Sequence, residues 1–149
     1  MRILIVDEID TSLGPMLAQI LRRELDPTGT LLIEVQSAGW NKAARDGRPV
    51  APTWHDLQSE TMIDLGAYKS RWIGDVDVMN FDLVVYCDNR SWIEILRYYP
   101  AFPVTKSKLA NPHRGGITEP HLGRESFRTA FRTMALSAKE IKKEALQLR

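Results

Sequence analysis

The chain has 149 residues, of which 44% are hydrophobic and 26% charged. These proportions fit a folded protein and exclude a disordered or membrane-spanning one. Twenty Lys and Arg against nineteen Asp and Glu leave a net charge of +1, without the basic excess of a nucleic-acid-binding protein. One cysteine excludes an internal disulfide framework and a Cys-rich zinc site, and fits a reducing compartment. No apolar run approaches the roughly 20 residues that span a bilayer, and the N-terminus lacks the small-residue cleavage site of a signal peptide. The expectation is one cytoplasmic α/β domain over residues 1–149, with no nucleic-acid or membrane partner and no cofactor.

Arg2 to Val6 is a continuous apolar run rich in β-branched residues, the pattern of a strand buried on both faces. A polar segment, Asp7 to Ser12, follows. A helix begins near Gly14-Pro15, carries Leu17, Ile20, Leu21 and Leu25 at helical spacing, and ends in Asp26-Pro27-Thr28-Gly29. Leu31 to Val35 reads as a second strand. Gly47, Pro49 and Pro52 mark a loop, Thr53 caps a helix to about Met62, and Asp64 to Asp77 has no clear period. Phe81 to Tyr86 is a third strand, followed by a helix from Ser91 to Tyr98. A fourth strand begins at Phe102-Pro103-Val104, and Asn111 to Gly116 is loop. In the last helix, Phe127, Phe131, Met134, Ala138, Ile141, Ala145 and Leu148 form one stripe, with Lys139, Lys142, Lys143 and Arg149 around it.

Ligands of open α/β sheets bind at the carboxyl ends of strands, so Asp7 to Gly14 is the first place to look for chemistry. Its opening resembles a response-regulator receiver domain, where acids after the first strand hold Mg²⁺. That reading needs a phospho-accepting Asp ending the third strand, roughly 45 residues on. The third strand here ends far later, at Asp88, and Asp56 follows no buried strand.

A second resemblance spans nearly the whole chain. Low-molecular-weight protein tyrosine phosphatases, with their arsenate-reductase relatives, open with a strand and a loop of Cys, five residues, Arg, Ser and Pro, then a helix. Ile5-Val6 and Pro15-Met16 match the two ends of that unit. Val35-Gln36-Ser37-Ala38-Gly39 is similar to the family's strand ending in Ser-Ala-Gly. Met62-Ile63-Asp64-Leu65 and Lys69-Ser70-Arg71 resemble its next conserved segment, and Phe81 to Asp88 its third strand. Glu119-Pro120-His121-Leu122-Gly123 resembles its Asp-Pro general-acid loop. The resemblance implies a three-layer α/β/α fold with a parallel sheet of about four strands, of the phosphotyrosine protein phosphatase I type.

The same alignment of motifs implies altered chemistry. Asp7 takes the place of the nucleophilic Cys, Leu13 that of the phosphate-gripping Arg, and Gly14 that of the Ser. Glu119 replaces the general-acid Asp, and is expected at the surface. His121 and Leu122 stand where two aromatic residues wall the substrate pocket. Asp7, Glu8 and Asp10 put three formal negative charges around a cradle that attracts phosphate in the family. Two charges about 5 Å apart at an effective dielectric of about 20 repel by roughly 3 kcal/mol. A helix N-terminus offsets only about 0.3–1 kcal/mol per charge. A single cysteine, Cys87, expected in the core, cannot run a multi-thiol reductase relay.

The expected function is therefore a catalytically inactive relative that works as a binding or regulatory module. Its protein partner is expected at the carboxyl end of the sheet, on Asp7, Glu8, Asp10, Leu13, Trp92, Arg114 and His121. The alternative is a diverged hydrolase in which Asp7, Glu8 or Asp10 holds a divalent metal and Glu119 assists. His55, His113 and His121 have no ligand spacing. Trp40, Trp54, Trp72 and Trp92 fall at element ends, suited mostly to packing. Lys106, Lys108, His113 and Arg114 form a modest basic stretch beside the acidic loop.

Overall fold

The computed structural model describes residues 1–121 and 123–148. Leu122, expected in the substrate-pocket wall, and Arg149, expected among the cations of the last helix, lie outside the described residues.

Four parallel strands, β1 (Arg2–Asp7), β2 (Glu34–Gly39), β3 (Leu83–Tyr86) and β4 (Ser107–Leu109), form one sheet in the order β2-β1-β3-β4. β1 is central and its residues Ile3 to Val6 are fully buried, because both faces of a parallel sheet are covered. Ile3 and Ile5 point to one apolar layer, shared with α1 (Leu13–Leu25) and α5 (Gly123–Gln147). Leu4 and Val6 point to the other, shared with Ile73, Phe81 and Ile95 of α4 (Asn89–Tyr98). The expected three-layer architecture is therefore the one observed. The stripe of α5 is buried at Phe127, Ala130, Met134, Ala138, Ile141 and Ala145. No described helix is long and apolar enough to cross a membrane.

Three elements differ from the sequence reading. The second strand was expected at Leu31 to Val35 and runs instead from Glu34 to Gly39. Leu31 and Leu32 are exposed and Leu32 is in the left-handed region, φ 54°, so only the end of that apolar run enters the core. The register is the one implied by the Ser-Ala-Gly resemblance. The fourth strand is at Ser107–Leu109, not at Phe102 to Val104. It is a half-buried edge of three residues with no apolar run to announce it. The helix from Thr53 to Met62 is two short helices, α2 (Pro52–Asp56) and α3 (Gln58–Thr61). Pro52 starts the first, as a residue without an N–H suits that position. Met62 ends the second with a left-handed φ of 60°.

Candidate functional site

The segment between β1 and α1 is tied down from several sides. Asp7 and Glu8 carbonyls accept from Trp40 N and Asn41 N at 3.0 and 2.9 Å, and the Thr11 carbonyl accepts from Ala51 N at 2.8 Å. Gly39 lets the loop press on the end of β2: a Cβ there would meet the Glu8 carbonyl oxygen at 2.6 Å. Asp10 turns the chain at φ 64°, a left-handed conformation that aspartate tolerates better than most residues.

Within this loop the Asp7 side chain folds back over its own backbone. Its Oδ1 accepts from Asp10 N at 2.6 Å and its Oδ2 from Gly14 N at 2.7 Å. Gly14 N belongs to the first turn of α1, where N–H groups have no intrahelical partner and the helix dipole favours an anion. Ser12 precedes that turn yet makes no side-chain capping bond; Asp7 supplies one from seven residues upstream. Gly14 also fits tightly here, since a Cβ would lie 3.0 Å from Asp7 Oδ2 and 3.3 Å from Asp10 Oδ1.

Asp10 is fully buried. Its Oδ2 accepts from Arg71 N at 2.9 Å and from the Tyr68 hydroxyl, which also meets Ser37 Oγ at 2.8 Å. Among the described residues its Oδ1 has no partner. Burial pushes the Asp10 carboxyl up to about 6, against the hydrogen bonds that favour its charged form. Asp7 is raised well above the ordinary range, first by burial and then by the charge of Asp10. Tyr68 is raised as well, by burial and by the same carboxylate.

These positions correct several expectations. Asp7 is only 3% exposed and Asp10 0%, so neither offers a charge to a partner. Leu13 is 1% exposed and packed with Met16 and Leu17 in the core. It presents no apolar group at the surface because its position on α1 faces the sheet. Only Glu8 of the three acids is exposed, with Oε1 at 3.4 Å from Asn41 Nδ2. Glu8 stands apart from the buried Asp7 and Asp10, and among the described residues no three His, Cys, Asp or Glu side chains gather to hold a metal ion. Glu119, expected at the surface, is half-buried and hydrogen-bonded to Ser12; burial raises its carboxyl. Ser12 Oγ in turn accepts from Trp54 Nε1 at 3.2 Å.

Arg114, His121 and Trp92 are exposed as expected, and Trp92 lies in α4 with its ring 6.4 Å from that of Tyr86. Cys87 is buried, and burial raises its thiol. Beside Glu119 a cavity of about 680 Å³ opens between residues 111–120 and α5, lined by Arg114, Ile117, Thr129, Ala130 and Leu136 among others. Sequence reading missed the roles of Tyr68, Ser37 and Ser12. Ser37 and Arg71 stood inside the motifs that carried the resemblance, which is the signal that pointed to their place at the loop.

The order β2-β1-β3-β4, with the loop at the carboxyl end of β1 and a long last helix, defines the fold of the low-molecular-weight protein tyrosine phosphatases. Solved structures with this fold include a protein tyrosine phosphatase from Entamoeba histolytica with Hepes in its active site (TM-score 0.87, 16% identity, covering 99% of this chain and 97% of that one). A Drosophila arginine phosphatase superposes with TM-score 0.81 at 20% identity, covering 95% of both chains. Vibrio vulnificus Wzb in complex with benzylphosphonate gives 0.80 at 20% identity, covering 95% and 97%. By sequence, neither a family model nor a curated protein matches the chain.

Proposed function

We propose that this chain is a catalytically inactive relative of the low-molecular-weight phosphatases that acts as a binding or regulatory module. The observation that carries the reading is the Asp7 carboxylate on the N–H groups of Asp10 and Gly14. The resemblance implies a phosphate-binding loop at these groups; here a carboxyl group of the chain itself takes their hydrogen bonds. Asp7 stands at the nucleophile position, has no cationic fork opposite it because Leu13 is in the core, and is too buried to meet a substrate. A phosphate dianion entering this loop would have to displace a carboxylate and approach Asp10 and Glu119.

The partner surface is redrawn around residues that reach solvent: Glu8 on the loop, Trp92 and Ile93 on α4, and Arg114 and His121 beside the cavity. Trp92 and Ile93 are 37% and 55% exposed, and aromatic groups beside arginine are the composition of interface hot spots.

The test has two arms. Metal-free protein is expected to leave para-nitrophenyl phosphate and phosphotyrosine peptides intact; turnover abolished by Asp7→Ala overturns the inactive reading. Folded wild-type and Glu8→Lys, Trp92→Ala, Arg114→Glu baits are then compared in pull-downs from the native host. Recovery of the same proteins in the same amounts overturns the surface.

A further inference from the structure

The proposed function leaves one thing about the loop unexplained: a buried carboxylate oxygen, Asp10 Oδ1, with no donor among the described residues. An unpaired buried acceptor is costly, and an ionised one in this place more so. A Cβ on Gly14 would lie 3.0 Å from Asp7 Oδ2 and 3.3 Å from Asp10 Oδ1, so both oxygens border one small space, and the charge of Asp10 acts on Asp7. We propose that Asp7 and Asp10 hold a single proton between them, with Asp10 Oδ1–H donating to Asp7 Oδ2, and that loss of this proton opens the loop between β1 and α1.

One proton satisfies every group. Asp7, ionised, accepts from Asp10 N, Gly14 N and Asp10 Oδ1–H. Asp10, neutral, accepts through Oδ2 from Arg71 N and the Tyr68 hydroxyl. Two adjoining buried carboxyls titrate as a pair, and the first proton is held far more tightly than an isolated one. The surrounding elements reinforce this. Glu119 from residues 111–120 adds negative charge toward Asp7. Glu119 itself faces Asp88 at the start of α4, Glu8 on the loop and His121. The Cys87 thiol at the end of β3 faces the same acids. Against these, the positive charge of Arg71 and the donors Tyr68 and Ser37 favour the charged form of Asp10, and burial outweighs them. When the proton leaves to solvent, two charges share a desolvated spot. In the proposed opening, Asp7 relieves this by leaving Gly14 N, which frees the first turn of α1. The device is independent of whether a partner binds the surface proposed above.

The test uses wild-type protein labelled at the Asp carboxyl carbons, titrated by NMR from pH 4 to 9. Amide exchange at Gly14 and Asp10 is followed in parallel and corrected for its intrinsic pH dependence. One carboxyl of the pair is expected to titrate at or above about 6, and Gly14 protection to fall at least tenfold across the same midpoint. Asp10→Asn keeps a donor where the proton sits, and should hold Gly14 protection flat through that range. Glu119→Gln should keep the step and move its midpoint down. Both carboxyls titrating near 4 in the wild type overturns the shared proton, and protection unchanged through pH 9 overturns the opening. Both decisive readings come from the wild type, so they stand whether or not a variant folds.

Discussion

Asp7 Oδ2 accepts from Gly14 N at 2.7 Å, so a carboxylate at the end of β1 caps the helix that begins six residues later. This pairing joins the central strand to the helix that covers it. It also fixes what can replace either residue.

Removing the carboxylate leaves two buried N–H groups without acceptors, at about 1–3 kcal/mol each, offset by the relief of burying Asp7 beside Asp10. Asp7→Ala is expected to lower the unfolding free energy at pH 7 by about 2 kcal/mol in urea titrations. Inorganic phosphate should then raise the Tm of Asp7→Ala by occupying the vacated N–H groups, and leave the wild-type Tm unchanged. Equal shifts in both proteins would contradict the role given to Asp7.

Gly14 is constrained by contact with Asp7, not by its own backbone. Gly14→Ala should destabilise the wild type by about 1–3 kcal/mol, the usual range for overpacking. In an Asp7→Ala background the same change should cost less than about 1 kcal/mol, because the closer contact is gone, leaving only Asp10 Oδ1 at 3.3 Å, and alanine favours the helix. A double-mutant cycle measured by chemical unfolding reads the coupling directly.

On the proposed reading, a single substitution does not give this chain phosphatase chemistry. Asp7→Cys still lacks a guanidinium and still faces Asp10 and Glu119, so its thiolate has little to stabilise it. Activity on para-nitrophenyl phosphate is expected to remain at background. Asp7→Cys with Leu13→Arg and Gly14→Ser should exceed the single variant, since removing the Asp7 carboxylate also makes room for a side chain at residue 14. A single variant as active as the triple would refute the account of the loop.

The pH dependence of stability follows from Asp10, raised from 3.8 to about 6. The folded state binds the proton more tightly than the unfolded chain. Its contribution is therefore fully present below about 3.8 and is lost as pH rises through about 6. A displacement of that size corresponds to about 3 kcal/mol between the protonation states. Asp10→Asn removes the titrating group: its stability should match the wild type near pH 4 and exceed it by up to about 3 kcal/mol near pH 8. Parallel curves would contradict this.

Much of the fold could be read from the chain alone, where a buried element carries its own pattern. β1 is an apolar run, α1 and α5 carry helical stripes, and β3 is four buried residues in sequence. β4 was misplaced because an edge strand of Ser107, Lys108 and Leu109 carries no such signal, and Leu31 and Leu32 misled because an apolar run can also sit in a turn. The resemblance located the loop and its substitutions. It did not reveal that Asp7 and Asp10 are buried. That burial depends on Tyr68 and Arg71, some sixty residues away in sequence, and a formal charge count treats every acid as solvated.

Trp54 has a consequence of its own. Its indole N–H reaches Ser12 at 3.2 Å, while its ring stands edge-on to Phe127 at 4.8 Å. The indole is thus a strut between the end of the loop and the second turn of α5, the helix that walls the large cavity. One indole touches both the loop and the helix that walls the cavity. The same strut is a built-in optical probe. Trp54 is the one tryptophan among four that is almost wholly enclosed, and its emission should report rearrangement of the loop without any label.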